Sequence, residues 1–146
     1  MDVSAIPAVA IEPLYDQLIP ILEKVEPWTR GRYTAADLVG LCEEGRAFLF
    51  VAYEPDGEGF VKLHGAVVCH FNDYPRQRWL FILAAGGDSS ALWRENMREL
   101  LEEFAVANKC VGFEWGGRLA LLRLFPESET IGILGEIRFV NGRGPT

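Results

Sequence analysis

Apolar residues recur along the chain with two different periods, and the change of period separates predicted helices from predicted strands. Three segments carry apolar residues at the spacing of an amphipathic helix, namely 14–25, 34–45 and 92–108. Thr34 and Asp37 have the spacing of a capping box, which predicts where the second helix begins. Pro20 lies inside the first segment, so that helix is expected to be kinked or shortened.

The remaining apolar runs have the length and residue types of strands. We predict strands at 6–12, 47–53, 59–71, 78–85, 110–115 and 131–140, a short helical segment at 117–125, and a loose tail at 141–146. The connections between the second, third and fourth strands are too short for crossovers, so these three strands are expected to form an antiparallel meander. The helix at 92–108 lies between two strands, which implies a right-handed crossover and parallel pairing.

The length and charge of the chain narrow the possible functions. Its 146 residues fit a single domain, 1–146, with one core. The formal net charge of −7 argues against binding to nucleic-acid backbones or to anionic membranes. No apolar run approaches the roughly 20 residues that span a bilayer, and the start Met1–Ser4 does not resemble a secretion signal. A cytoplasmic location is therefore expected.

Cysteine and histidine are sparse. Cys42, Cys69 and Cys110 are widely spaced and include no C-x-x-C pair, so they are expected to be reduced and mostly buried. The only histidines are His64 and His70, which are too few to predict a metal site.

The order of these elements is strand, two helices, three-stranded meander, long helix, strand, short helix and strand. This order resembles the acetyl-CoA-dependent N-acetyltransferase family called GNAT. The resemblance extends from about Val9 to Val140 and implies an α/β fold with a mixed sheet, in which a strand–helix–strand crossover follows the antiparallel meander. The segment 33–52, YTAADLVGLCEEGRAFLFVA, is also similar to a small phage-encoded subgroup of this family.

The GNAT resemblance implies where coenzyme A would bind. In that family the turn after the third meander strand carries Q/R-x-x-G-x-G/A, and its backbone amides bind the pyrophosphate at a helix N-terminus. The corresponding residues here are 84–90, AAGGDSS, which lack the initial Gln or Arg and the Gly-x-Gly spacing. If acetyl-CoA binds, the candidate residues are Ala85, Gly86, Gly87, Ser89 and Ser90.

Asp88 is the main departure from that motif. A carboxylate in this turn is able to cap the following helix by accepting an amide hydrogen bond, which would occupy the donors that a phosphate needs. It would also repel a diphosphate, because like charges ~4 Å apart cost about 1 kcal/mol in water and about 4 kcal/mol at an intermediate dielectric. We therefore favour a capped turn without a ligand over a phosphate site.

The catalytic positions that the resemblance implies are empty. The third meander strand, 79–85, contains no acid, and the short helix, 118–125, contains no tyrosine. Glu114 is the remaining candidate for a general base, and the alternative is a solvated carboxylate or one paired with Arg118. His64 and His70 are interpreted as structural residues of the second meander strand.

Two functional hypotheses follow. The favoured one is a non-catalytic protein of phage assembly, a virion or accessory component, which binds a protein partner or forms a homo-oligomer and needs no cofactor. The alternative is an acetyl-CoA-dependent N-acetyltransferase that modifies a small-molecule or protein amine. The loop containing Arg30, Arg32 and Tyr33 would border an acceptor in the second case and a partner in the first.

Overall fold

A single five-stranded sheet organises the computed structural model, which describes residues 1–116, 119–132 and 134–139. The strands are β1 Asp2–Ile6, β2 Phe48–Pro55, β3 Val61–Asp73, β4 Arg78–Gly87 and β5 Phe113–Trp115. Their spatial order follows their order in the chain. The pairs from β1 to β4 are antiparallel, whereas β5 is parallel to β4. The predicted antiparallel meander and the predicted parallel pairing after the long helix are therefore confirmed.

Three helices cover the sheet: α1 Tyr15–Glu23, α2 Ala35–Glu43 and α3 Arg94–Ala107. The capping box is confirmed, since Thr34 Oγ1 accepts the Asp37 N–H at 3.0 Å and the Asp37 carboxylate accepts the Thr34 N–H at 2.9 Å. The first helix continues through Pro20 to its end at Glu23. No helix in the described part of the chain is both long enough and apolar enough to cross a membrane.

The sheet has an apolar cluster on each face, because the strands are apolar on both sides. Leu49 and Val51 of β2 pack with α1 and α2 on one face. Phe50 and Ala52 of the same strand pack with α3 on the other face. A short 3-10 helix, Leu119–Arg123, is placed on the α3 side, where Leu121 is buried in the second cluster. The meander is therefore covered on both faces.

Two predicted strands are wrong. Residues 6–12 were expected to form an edge strand, but β1 ends at Ile6, and Ala8–Ala10 forms a 3-10 helix. The reason is Pro7, which has no N–H to donate to a neighbouring strand and begins the turn instead. Residues 131–140 were expected to form the last strand, but the described residues 131–132 and 134–139 are not in a strand.

Several predicted details fall outside the described residues. These are the start of the short helical segment at 117–118, the middle and end of the last predicted strand at 133 and 140, and the tail at 141–146.

Within the described residues, Glu136 carries the contacts that attach 134–139 to the loop after α1. Its carboxylate lies 2.6 Å from Arg30, 3.0 Å from Arg138 and 2.8 Å from Arg32, and these hydrogen bonds lower the pKa of Glu136 to about 2.

β4 continues beyond the end of β5. The parallel pairing joins only Leu80–Ile82 to β5, so the two strands separate after Ile82. A β-bulge lies at the same place, because Val68 faces Ala84 and Cys69 faces Ile82, which leaves Leu83 as the extra residue. Bulges bend a strand and are enriched beside active sites. The second half of β4 therefore has one edge that no described strand occupies.

β3 and the end of β4 approach each other closely where two glycines face one another. Gly65 pairs with Gly87, and the indole of Trp93 lies against Gly65. A Cβ on Gly65 would be 2.4 Å from Cζ2 of Trp93, and a Cβ on Gly87 would be 2.1 Å from the His64 carbonyl oxygen. Gly87 also has φ +138°, which other residues rarely adopt. Only glycine fits at both positions.

We expect Gly65→Ala to lower the free energy of unfolding by about 1–3 kcal/mol, because the added methyl group overpacks the contact with Trp93. Gly40→Ala is the matched control, since Gly40 lies inside α2 and an added Cβ would meet no atom within 4 Å. That control is expected to stabilise the protein by about 0.5–1 kcal/mol through helix propensity. Urea unfolding measures both values, and equal stabilities of the two variants would contradict the close packing.

Candidate functional site

A pocket of about 110 Å³ opens at the end of β4, beside the start of α3. It contains four of the five residues predicted to bind a cofactor, and Ser89 is the one that does not line it. The lining residues are Ala85, Gly86, Gly87, Ser90, Trp93, Arg94, Leu121, Arg123 and Leu124. Four of these candidate residues thus share one pocket, and their role in binding a cofactor stays a prediction.

Two arginines that the sequence analysis did not select line this pocket. Arg94 is the first residue of α3, and Arg123 is the last residue of the short helix Leu119–Arg123. That short helix is attached to α3 by Arg98, whose guanidinium donates to the Leu124 carbonyl oxygen at 3.3 Å. Guanidinium groups form strong, charge-assisted hydrogen bonds with phosphates. The pocket is therefore suited to an anion.

The N-terminus of α3 also faces this end of β4. Its N-cap residue, Trp93, makes no side-chain capping hydrogen bond. The N–H groups of a helix's first turn have no acceptor within the helix, and they carry the positive end of the helix dipole. The expected cap by Asp88 is thus wrong: this carboxylate does not accept a hydrogen bond from the first turn of α3.

Asp88 instead binds β3. Its Oδ1 lies 2.8 Å from Nδ1 of His64, and its backbone N–H donates to the His64 carbonyl oxygen at 2.7 Å. The Asp88 carbonyl oxygen accepts a hydrogen bond from Nε1 of Trp93 at 2.8 Å. These three hydrogen bonds fix the turn between β4 and α3 against the edge of β3, and they direct the carboxylate toward His64.

His64 is held between two carboxylates. It is the extra residue of a β-bulge in β3, since Gly65 faces Ala52 while Leu63 faces Tyr53. Its Nε2 lies 2.7 Å from Oε1 of Glu54, and only 8% of the residue is exposed. Both ring nitrogens therefore face acceptors, which favours the protonated imidazolium. The sequence interpretation of His64 as a hydrogen-bonded strand residue agrees with these contacts.

The carboxylates change the pKa of His64. Hydrogen bonds to Asp88 and then to Glu54 raise the pKa of His64 above its ordinary value, against the effect of burial. The same contact lowers the pKa of Asp88, with further contributions from a hydrogen bond to Ser89 and from the charge of Lys62. The three groups, Glu54, His64 and Asp88, are called the histidine cluster below.

Comparison with known proteins gives similarity at the level of structure. No protein-family model matches the sequence, and no curated protein matches it. Among solved structures, an aminoglycoside antibiotic 6'-N-acetyltransferase from Acinetobacter haemolyticus has a TM-score of 0.66 at 14% identity, over 96% of this chain and 99% of that one. A probable acetyltransferase has a TM-score of 0.64 at 13% identity, over 100% and 99%.

A third example is a ribosomal-protein-alanine N-acetyltransferase from Brucella melitensis biovar Abortus 2308. It has a TM-score of 0.62 at 13% identity and covers 95% of this chain and 100% of its own. The chain has the GNAT fold. At these identities the similarity concerns the arrangement of the backbone alone, and it extends over nearly the whole chain.

Glu114 lies elsewhere in this GNAT fold. It is on β5, where its carboxylate accepts hydrogen bonds from Asn72 Nδ2 at 3.1 Å and from the Tyr74 hydroxyl at 2.9 Å. The bond to Glu114 raises the pKa of Tyr74. Glu114 does not line the pocket, and Arg118, its predicted partner, is outside the described residues. The role of Glu114 as a base stays a prediction.

A smaller cavity of about 30 Å³ lies where β4 and β5 separate. Leu83, Ala84 and Ala85 line one side of it, and Gly116 lies on the other. Trp28 and Thr29 border it from the loop after α1. The described residues that line this cavity include no acid, so the position where the GNAT resemblance implies an acid remains apolar.

The histidine cluster predicts how stability depends on pH. Because the folded-state pKa of His64 is raised, its contribution to stability is complete below the unfolded-state pKa of about 6.5. The contribution is lost as the pH rises through the higher folded-state pKa. Urea unfolding of the wild type and of His64→Asn from about pH 5 to about pH 9 should show a stability difference that shrinks with rising pH. A constant difference would contradict the raised pKa.

Proposed function

We propose that the protein binds acetyl-CoA at the pocket beside α3 and acetylates an amine. The observation that carries this proposal is that Arg94 and Arg123 line the same pocket as Gly86 and Gly87, at the start of α3, whose N-cap residue makes no side-chain capping hydrogen bond. Two guanidinium groups and free backbone donors in one place form a site for a diphosphate. This is the chemistry that the cofactor loop of a GNAT fold would require.

The pocket lining offers several groups to a diphosphate. Gly86 and Gly87 have no side chains, so a phosphate is able to approach their backbone closely. Arg94 extends from the start of α3 on one side, and Arg123 extends from the short helix on the other. Ser90 adds a hydroxyl group to the same lining. The initial Gln or Arg absent from the loop motif is thus replaced by arginines from two other elements.

The open edge of β4 is a second feature of this site. Residues 84–87 pair with β3 on one side, while β5 has already separated on the other. The backbone groups along that edge are able to bind an extended chain by strand-like hydrogen bonds. The amide-containing arm of coenzyme A is such a chain, and following this edge would lead it from the pocket to the cavity at Leu83.

Asp88 does not prevent this binding. Its carboxylate is hydrogen-bonded to the imidazolium of His64, so it does not occupy the donors of α3. The adjacent positive charge also compensates much of its repulsion of a phosphate. The repulsion between Asp88 and a phosphate that the sequence predicts is therefore weaker in the folded protein.

Acetyl-CoA bound in this pocket would supply the acetyl group, and the thiolate released from it would accept the proton that the amine loses. The residues that line the small cavity, among them Leu83, Ala84 and Trp28, would enclose the reacting end and exclude water. They supply no carboxylate, so the chain's contribution would be binding and orientation, and the amine would have to arrive uncharged. The acceptor would be a small-molecule or protein amine.

A second candidate is a non-catalytic binding role, as in phage assembly within a virion or a host cytoplasm. Its specific support is that β4 carries no acid and Leu119–Arg123 carries no tyrosine. In addition, four large apolar side chains near the C-terminus are strongly exposed, which favours a protein partner or a second copy. They are Ile131, Leu134, Ile137 and Phe139.

Calorimetric titration with acetyl-CoA tests the first proposal. We expect Arg94→Ala and Arg123→Ala each to weaken binding about tenfold, since a hydrogen bond to a charged group contributes about 1.5 kcal/mol. Arg46→Ala is the matched control, because Arg46 is an exposed arginine in the turn after α2 and pairs only with Glu44 at 3.5 Å among the described ion pairs. Its binding constant should equal that of the wild type.

Thiol release in the presence of a panel of amines then separates the two candidates. Binding that depends on Arg94 and Arg123, together with release of coenzyme A thiol, supports the enzyme. The same binding without release for any amine favours the non-catalytic role. No binding of acetyl-CoA at millimolar concentration, or equal affinity in all three arginine variants, would reject the proposed site.

A further inference from the structure

The histidine cluster lies directly behind the turn that lines the pocket. Asp88 belongs to that turn, immediately after Gly87, whereas His64 and Glu54 belong to β3 and β2. His64 reaches its place between the two acids only because of the β-bulge in β3. Regular pairing of β2 with β3 would not require this bulge, so sheet formation alone does not explain the buried histidine. The bulge and the two carboxylates together link β2 and β3 to the turn between β4 and α3.

We propose that His64 is a positioning residue that couples the protonation state of the cluster to the affinity of the pocket for a diphosphate. This inference rests on the proposed function, since it concerns the same pocket. The imidazolium holds the Asp88 carboxylate at β3, away from the first turn of α3. Loss of its proton would weaken the binding of an anion in the pocket.

The number of N–H donors on the His64 ring depends on its protonation state. The imidazolium has two N–H groups, and each one faces a carboxylate oxygen, at 2.8 Å for Asp88 and 2.7 Å for Glu54. A neutral imidazole has one N–H, so one of the two carboxylates would then face a lone pair. That carboxylate has to move or take up water. Because the backbone of Asp88 is part of the turn, its movement would alter the pocket lining.

Loss of the His64 proton also makes the cluster more negative, which again disfavours an anion in the pocket. With His64 protonated, the cluster carries one net negative charge, and with His64 neutral it carries two. Lys62, on the same strand, is the further charged group that acts on Asp88. From α3, Trp93 contributes a neutral indole to this region, and Arg94 lies in the pocket lining. An added negative charge near the pocket disfavours a bound diphosphate, whichever carboxylate is released.

Two non-titrating variants test the coupling. In His64→Asn the side-chain amide replaces the donor near Nδ1, which served Asp88, and in His64→Gln it replaces the donor near Nε2, which served Glu54. The probe is acetyl-CoA, measured calorimetrically at several pH values. Its own phosphate titrates equally with all three proteins, so the ratio of dissociation constants isolates the protein.

At low pH we expect the wild type to bind acetyl-CoA about threefold more tightly than His64→Gln. This is the factor expected in water when a positive charge roughly 7 Å from a phosphate charge is removed. The dissociation constants should converge as the pH rises through the pKa of His64. His64→Asn should bind more tightly than His64→Gln, because it retains a donor for Asp88. A ratio that does not change with pH, or equal affinities of the two variants, would overturn the proposal.

Nuclear magnetic resonance of the ligand-free wild type gives an independent measurement. The amide shifts of Gly86, Gly87, Ser89 and Ser90 should titrate with the same midpoint as the His64 ring. If they do so although acetyl-CoA does not bind, the proposed function fails while the coupling of the turn to His64 stands. If acetyl-CoA binds but these amides do not follow His64, the coupling is wrong and the cofactor site stands.

Discussion

The close contact among Gly65, Gly87 and Trp93 determines the geometry of the rest of the site. Two strands approach without side chains between them, and the indole that covers the gap belongs to the N-cap residue of α3. The packing of one buried ring thus sets where β4 ends and where α3 begins. The hydrogen bond from its Nε1 to Asp88 fixes the turn between them. The pocket exists because these elements are held in this relation.

The electrostatics of the molecule are local. A chain with a formal net charge of −7 is a poor binder of anions as a whole, yet it places Arg94 and Arg123 on one small lining. Asp88, in the adjoining turn, is hydrogen-bonded to His64, and this contact raises the pKa of His64. Burial and pairing of this kind decide what a site attracts, whereas net charge governs solubility and long-range encounter. The fold determines which residues line the pocket, and the charges of these side chains favour an anion over a cation there.

Local patterns predicted the helices and the meander, because helical spacing and short connections depend on neighbouring residues. The glycines Gly86 and Gly87 likewise marked the end of β4 from the local sequence, and the structure places them in the lining of the pocket. Arg123 was missed because it reaches the pocket only through the packing of a short helix on α3. The role of Asp88 was mistaken because its partner, His64, is placed by a β-bulge, and alternation along a strand does not reveal a bulge.

The separation of β5 from β4 after Ile82 has a consequence for the behaviour of the protein in solution. An unpaired strand edge is a template on which a foreign strand can add, and such edges promote aggregation. Here the exposed stretch is short and begins at a β-bulge, and Trp28 and Leu121 border the cavity beside it. This short and bordered edge is therefore a poor template for self-association.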